Sequence, residues 1–206
     1  MRKNNLLILS PTHSSRVIDY AEKHGFACET QTTRDWRAHF NAHAQKQSAI
    51  LANPEALFQA EIRSTLIING PNLNLLGVRE TNIYGTDTLA EITMRCMAIA
   101  SDTRCSLDFR QSNHEGEIVT WIQEAVTSDA LVINAGAYTH TSIAIQDALK
   151  SYPGLVVEIH ISNPLQREQF RRHSFITATA DAVAIGLGTK GYDLVIELIC
   201  SEANAG

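Results

Sequence analysis

From residue 65 onward, short β-branched or aliphatic runs alternate with longer stretches whose apolar positions recur every three or four residues. The short runs predict strands at 65–68, 106–110, 130–134, 156–160 and 182–186. The longer stretches predict helices near 89–101, 115–126, 141–150, 166–172 and 192–202, with Ile118, Ile122, Ala125 and Val126 among the positions that mark the spacing. Runs such as LVIN and LVVEIH open on consecutive apolar residues rather than an alternation, as strands buried on both sheet faces do. The alternation predicts an α/β fold with a doubly wound parallel sheet of five strands, whose ligand sits at the carboxyl ends of the strands.

The segment 1–64 differs. It offers a strand at 6–10, a helix at 14–24, a second strand at 27–32 and a polar helical stretch over about 34–47, with 49–64 read as a helical or irregular linker. A βαβα module of that size has a marginal core, so it needs the rest of the chain, or another copy of it, to bury its apolar faces. We therefore divide the chain into a small α/β extension, 1–64, and a main domain, 65–206.

Composition narrows the functional classes. Of 206 residues 44% are hydrophobic and 19% charged, as in a folded protein, and no apolar run approaches the roughly 18 residues of a membrane span. The net charge is -5, distributed as +2 over the extension and -7 over the main domain. A mildly acidic chain is a poor nucleic-acid binder, because that affinity comes mostly from neutralised phosphates. The four cysteines form no CxxC pair, and the N-terminal apolar run LLIL is too short for a signal peptide, so a reduced, cytoplasmic protein is expected.

Chemistry concentrates at the strand ends. The loop NGPNLNLLGVRETNIYG after the strand at 65–68 carries Asn69, Asn72, Asn74, Arg79 and Tyr84; it is neither a Walker A loop nor GxGxxG. The strand at 130–134 leads into NAGAYTHTS with Asn134 and His140. The strand at 156–160 leads into EIHISNP with Glu158, His160, Ser162 and Asn163, and then QREQFRRHS with Arg167, Arg171 and Arg172. A single histidine in such a place is most often structural, but three successive strand ends each delivering His, Asn, Ser or Arg suit an anionic, hydroxyl-rich small molecule. His39 and His43 lie one helical turn apart but have no acidic or Cys partner nearby, so a solvated helix is expected there and no metal site.

The motifs IINGPNLNLLGVRE…YG, RQSNHEGEIVTWI, NAGAYTHTSIAIQDAL, VEIHISNP, REQFRRHS and GLGTKGY, in this order, resemble type II 3-dehydroquinate dehydratases from residue 65 to the C-terminus. The resemblance implies a flavodoxin-like subunit that eliminates water anti from 3-dehydroquinate through an enolate, with no cofactor or metal. It implies Tyr84 as general base, Arg79 as the cation that favours its charged form, His160 as general acid, Glu158 as the residue orienting a histidine, and Asn72 as enolate stabiliser through a water. A phenol, with a reference pKa of about 10, needs such a cation to act as a base at neutral pH. Asn134, His140, Ile161, Ser162 and Arg171 match substrate-binding positions, and Asp147 one that reaches a neighbouring subunit's site. The resemblance further implies trimers associating into a dodecamer. The loop 78–84 reads as a lid, with Thr81 where the family usually has proline. Two other readings compete with the enzyme: a catalytically silent scaffold that uses the extension to bind a partner, and a flavodoxin-like nucleotide binder. The intact set Tyr84, Arg79, His160, Asn72 and Arg171 favours activity, and the missing phosphate loop disfavours the nucleotide binder.

Overall fold

The computed structural model describes residues 4–10, 14–58, 61–101 and 103–201. The extension supplies β1 (Asn4–Ser10), α1 (Ser15–Lys23), β2 (Phe26–Thr32), α2 (Trp36–His43) and β3 (Ala49–Ala52). The Ser14 and Asp35 side chains accept from the first turns of α1 and α2, satisfying amides that a helix start leaves without partners. The remainder supplies β4 (Ser64–Asn69), the short α3 (Thr81–Tyr84), α4 (Leu89–Ser101), β5 (Ser106–Gln111), α5 (Glu115–Glu124), β6 (Ala130–Asn134), α6 (Ile143–Ser151), β7 (Leu155–His160), β8 (Ala182–Ile185) and α7 (Lys190–Cys200).

The eight strands of the described residues form one sheet, in the order β2-β1-β3-β8-β7-β6-β4-β5. The five strands after residue 63 are mutually parallel and run β5-β4-β6-β7-β8, so the order reverses between β4 and β6. That reversal opens the crevice in which doubly wound sheets hold ligands. The sequence expectation of a five-stranded sheet is thus too small. β1, β2 and β3 are parallel to one another, and β3 joins β8 antiparallel through Ile50↔Ile185, Leu51↔Ala184 and Ala52↔Val183. The extension therefore satisfies its need for burial by widening the main sheet.

The expected linker at 49–64 holds instead the fully buried strand β3 and a 3-10 helix over Pro54–Phe58. Four apolar residues buried on both faces show no alternation, so periodicity had nothing to detect. The expected helix at 166–172 is replaced by two single 3-10 turns, Pro164–Gln166 and Gln169–Arg171, because the chain is bent around side-chain contacts described below. Residue 202 of the expected last helix lies outside the described residues.

Helices cover both faces. α1, α4 and α7 pack over one apolar layer that includes Leu6, Ile67, Ile92, Val157 and Leu194; α2, α5 and α6 pack over the other, with Leu7, Phe40, Ile68, Ile118, Ile133 and Ile145. At the junction of the two regions Gly186 has φ +74°, and a Cβ there would stand 1.9 Å from the carbonyl oxygen of Ser48. Only glycine lets the α2–β3 turn come this close to the end of β8. Among the described residues no helix is long and apolar enough to cross a membrane.

Candidate active site

A cavity of ≈ 190 Å³ opens at the carboxyl ends of β4, β6 and β7. The loop after β4 contributes Pro71, Asn72, Leu73, Leu76, Arg79 and, on α3, Tyr84; the loop after β6 contributes Gly136, Ala137 and His140, following Asn134 at the strand's end. His160 ends β7, and Ile161, Ser162, Pro164, Arg167 and Arg171 follow it. Nine sequence-derived candidates thus line one space: Asn72, Arg79, Tyr84, Asn134, His140, His160, Ile161, Ser162 and Arg171.

The two loops beside the crevice are held edge to edge. The Gly70 amide donates to the Asn134 carbonyl at 2.7 Å, and a Cβ on Gly70 would lie 2.3 Å from the Ala135 carbonyl oxygen. Asn72 and Glu80 adopt left-handed backbone at φ 67° and 45°. Such conformations cost on the order of 1 kcal/mol each in a non-glycine residue and collect where function constrains the chain. The Asn72 amide is anchored by the Asn113 side chain at 2.9 Å, whereas the Asn72 side chain is exposed. Beneath the cavity, Asn134 Nδ2 donates to the Tyr192 hydroxyl at 2.9 Å, which donates to Asn69 Oδ1 at 2.6 Å. This buried chain of three fixes the ends of β4 and β6 against α7. Burial pushes the Tyr192 phenol well above its ordinary value, which keeps it a neutral donor.

Glu158 lies behind the cavity. It is 1% exposed and two residues before His160, so both side chains leave the same face of β7. His160 Nε2 stands 2.8 Å from Glu158 Oε1; the Ser174 hydroxyl donates to the same oxygen at 2.7 Å, and the Thr177 hydroxyl donates to Oε2. Burial raises the Glu158 carboxyl, but the His160, Thr177 and Ser174 donors outweigh it and hold the group below the usual range. An ionised carboxylate only accepts, so Nε2 carries a proton and Nδ1 remains for a ligand. His140 is fixed in the other sense. Its Nδ1 is 2.7 Å from the His173 carbonyl and must be the protonated nitrogen, while burial lowers its pKa and favours the neutral ring.

In the same cavity lining, Arg167 Nη1 donates to the Tyr84 hydroxyl at 2.6 Å, and its guanidinium lies 5.8 Å from the ring centre. The guanidinium hydrogen-bonded to the tyrosine oxygen in this structure is that of Arg167; the family resemblance implies Arg79 for that task. Arg79 lines the same cavity, but its Nε is ion-paired with Glu80 at 2.8 Å. Arg171 Nε donates to Glu168 at 3.0 Å. Three guanidiniums around one small cavity favour an anion. Sequence reasoning counted Arg167 among the strand-end arginines but gave it no role; its place between Ser162 and Arg171 in the segment after β7 was the available signal.

Asp147 is not in this cavity. It is exposed on α6 and paired with Lys150 at 2.9 Å. His39, in α2, is bonded to the Thr33 hydroxyl and the Asp35 carbonyl, while the His43 side chain lies outside the described residues. Among the described residues no group of three His, Cys, Asp or Glu side chains could hold a metal.

Comparison with known proteins gives the family. Residues 63–200 match the family model described as dehydroquinase class II. A 3-dehydroquinate dehydratase of Streptomyces coelicolor is 52% identical over 155 residues, 74% of this chain and 97% of its own length. One from Cereibacter sphaeroides is 51% identical over 141 residues, covering 68% and 96%. Among solved structures, a type II dehydroquinase from Butyrivibrio crossotus superposes with a TM-score of 0.66 at 41% identity, covering 69% of this chain and 100% of that one. A type II dehydroquinase from Propionibacterium acnes gives a TM-score of 0.65 at 37% identity, covering 68% and 97%.

Proposed function

The chain belongs to the class II dehydroquinase family and acts as a 3-dehydroquinate dehydratase, and from that premise we propose how its residues perform the reaction. Tyr84, as phenolate, takes a proton from the carbon next to the substrate ketone, and the C–H electron pair becomes the enolate. The enolate re-forms the ketone as the C–O bond to the leaving hydroxyl breaks, giving the conjugated enone 3-dehydroshikimate. His160 supplies the proton with which that hydroxyl departs as water. The observation that carries this reading is that two prepared groups line one cavity: a tyrosine hydroxyl bonded to a guanidinium, and a histidine bonded to a buried carboxylate. The guanidinium fixes the position of the phenol oxygen, and the carboxylate fixes the orientation and tautomer of the imidazole.

Asn72 stabilises the enolate through a water, an oxyanion-type role. Asn134, His140, the Ile161 amide, Ser162, Arg79 and Arg171 hold the carboxylate and hydroxyls. Asp147, outside the cavity of its own chain, serves a neighbouring subunit in a trimer-based dodecamer. α3 and the loop before it act as a lid whose closure excludes water. The five strands β4–β8 form a flavodoxin-like unit, the segment 1–64 is an extension of it, and the enzyme works in the cytoplasm in the shikimate pathway or in quinate breakdown.

The direct test follows enone absorbance from 3-dehydroquinate with wild-type and Tyr84→Phe protein. We expect product from the wild type and a loss of about 10³-fold in kcat for the variant. Absence of product from the wild type overturns the enzyme reading, and full activity in Tyr84→Phe removes the tyrosine as base. Borohydride added with substrate leaves activity intact, because no lysine imine forms.

A further inference from the structure

The α2–β3 turn of the extension lies against the loop that follows His160. Asn163, 6% exposed, directs its side-chain amide to two backbone carbonyls of that turn, Ala44 at 2.7 Å and Gln47 at 2.8 Å. Its Oδ1 accepts from the Leu165 amide at 2.9 Å, which shapes the 3-10 turn Pro164–Gln166. Gln166 Nε2 donates to the same Gln47 carbonyl at 2.9 Å. Leu165 packs on the apolar layer that contains Trp36, Phe40 and Ala44. The loop is therefore tied to the extension at Asn163, Leu165 and Gln166.

The residues that flank these ties face the cavity. Ser162 precedes Asn163, and Arg167, which holds the Tyr84 hydroxyl, follows Gln166. Direct adjacency along the backbone couples the position of each cavity residue to that of its anchor. We propose that the extension is a positioning element of the active site: through Asn163 and Gln166 it holds Ser162 and Arg167 where the substrate and the base need them. The family model matches residues 63–200, so the acceptors Ala44 and Gln47 lie outside the matched region. The proposal rests on the roles given above to Ser162 and Arg167.

Asn163→Asp tests it in the full-length chain. The substitution keeps the side chain's shape but turns two donors into an acceptor facing two carbonyls. Ala44→Val tests it from the extension side, because extra methyls on a fully buried residue displace the carbonyl that Asn163 uses. Both variants should raise KM for 3-dehydroquinate about tenfold as Ser162 loses its place and also lower kcat as Arg167 shifts from the Tyr84 hydroxyl; a purely structural lesion lowers the active fraction and leaves KM alone. Lys23→Ala alters an extension contact on the opposite sheet face, with Glu197 of α7, and should leave KM unchanged. An unchanged KM in Asn163→Asp overturns the proposal, as does an equal rise in Lys23→Ala. If Asn163→Asp fails to fold, Ala44→Val decides by the same criterion. Hydrogen exchange reads the contact without catalysis: the Leu165 amide should exchange faster in Ala44→Val. Faster exchange in a chain without dehydratase activity would overturn the catalytic reading alone, whereas unchanged exchange would overturn the positioning role.

Discussion

The two regions of this chain are built alike and used differently. Each is a run of strands and helices, and each orders its first strands with the second outside the first: β2-β1-β3 in the extension, β5-β4-β6 in the remainder. Every candidate residue in the catalytic cavity comes from the later region. The antiparallel pairing of β3 with β8 accounts for the difference. It turns the carboxyl ends of β1, β2 and β3 toward the end of the sheet opposite the cavity, so the loops that would carry ligands in a doubly wound fold face away from it. What the extension presents at the catalytic end is the turn entering β3, and that turn offers backbone carbonyls. Fold type alone thus assigns no role; strand polarity decides which loops reach the chemistry.

The contrast is open to experiment, most severely at Arg167. Arg167→Met removes the donor and the charge at the Tyr84 hydroxyl and should lower kcat/KM by about 10²- to 10³-fold. A smaller loss than in Arg79→Met, measured in the same enone assay, would return the decisive role to Arg79. Glu158→Gln should cost roughly 10- to 100-fold in kcat, since the histidine keeps a partner but loses the charge behind it. The same variant has a pH signature. The folded-state pKa of Glu158 is depressed, so the stability it contributes is present above its ordinary 4.5 and lost as pH falls through the lower folded value. The acid-side fall in Tm should therefore be shallower in Glu158→Gln, and an identical slope would show that the carboxylate is not ionised in the folded chain.

Gly186→Ala probes the junction. A methyl group 1.9 Å from the Ser48 carbonyl, on backbone with positive φ, should destabilise the protein by about 2 kcal/mol or more, read by denaturant unfolding. Two separate unfolding transitions in that variant would mean that the extension and the main sheet melt independently. The smallest effect belongs to Lys23→Ala. Loss of this exposed ammonium from its pair with Glu197 should shift Tm by about 1 °C or less; a larger drop would make the α1–α7 contact as important as the β3–β8 junction.

Much of this was legible in the sequence because the signals are local. Continuous runs such as LVIN and LVVEIH became strands of the main sheet, and nine candidates found at strand ends share one cavity. The alternate spacing of Glu158 and His160 placed them on one face, and the structure joins them at 2.8 Å. What escaped depends on distant parts of the chain. β3 is a short strand that owes its existence to β1 and β8 on either side. The tyrosine's guanidinium partner lies 83 positions away from it, and both Arg79 and Arg167 stand in strand-end segments from which they could serve. Only the fold of loop 162–167 distinguishes them. That the extension would need outside burial was foreseeable from its size; that strand pairing would supply it was not.

The pairing of β3 with β8 also bears on self-assembly. A strand at the margin of a sheet exposes a row of amides and carbonyls that can recruit a strand from another molecule. In this chain the β8 margin is already occupied from within, and β2 and β5 are the outermost strands. Any quaternary arrangement that adds a strand beside β8 is closed to it. Any association between copies would have to run through helical faces, through loops, or through two margins separated by the full width of the sheet.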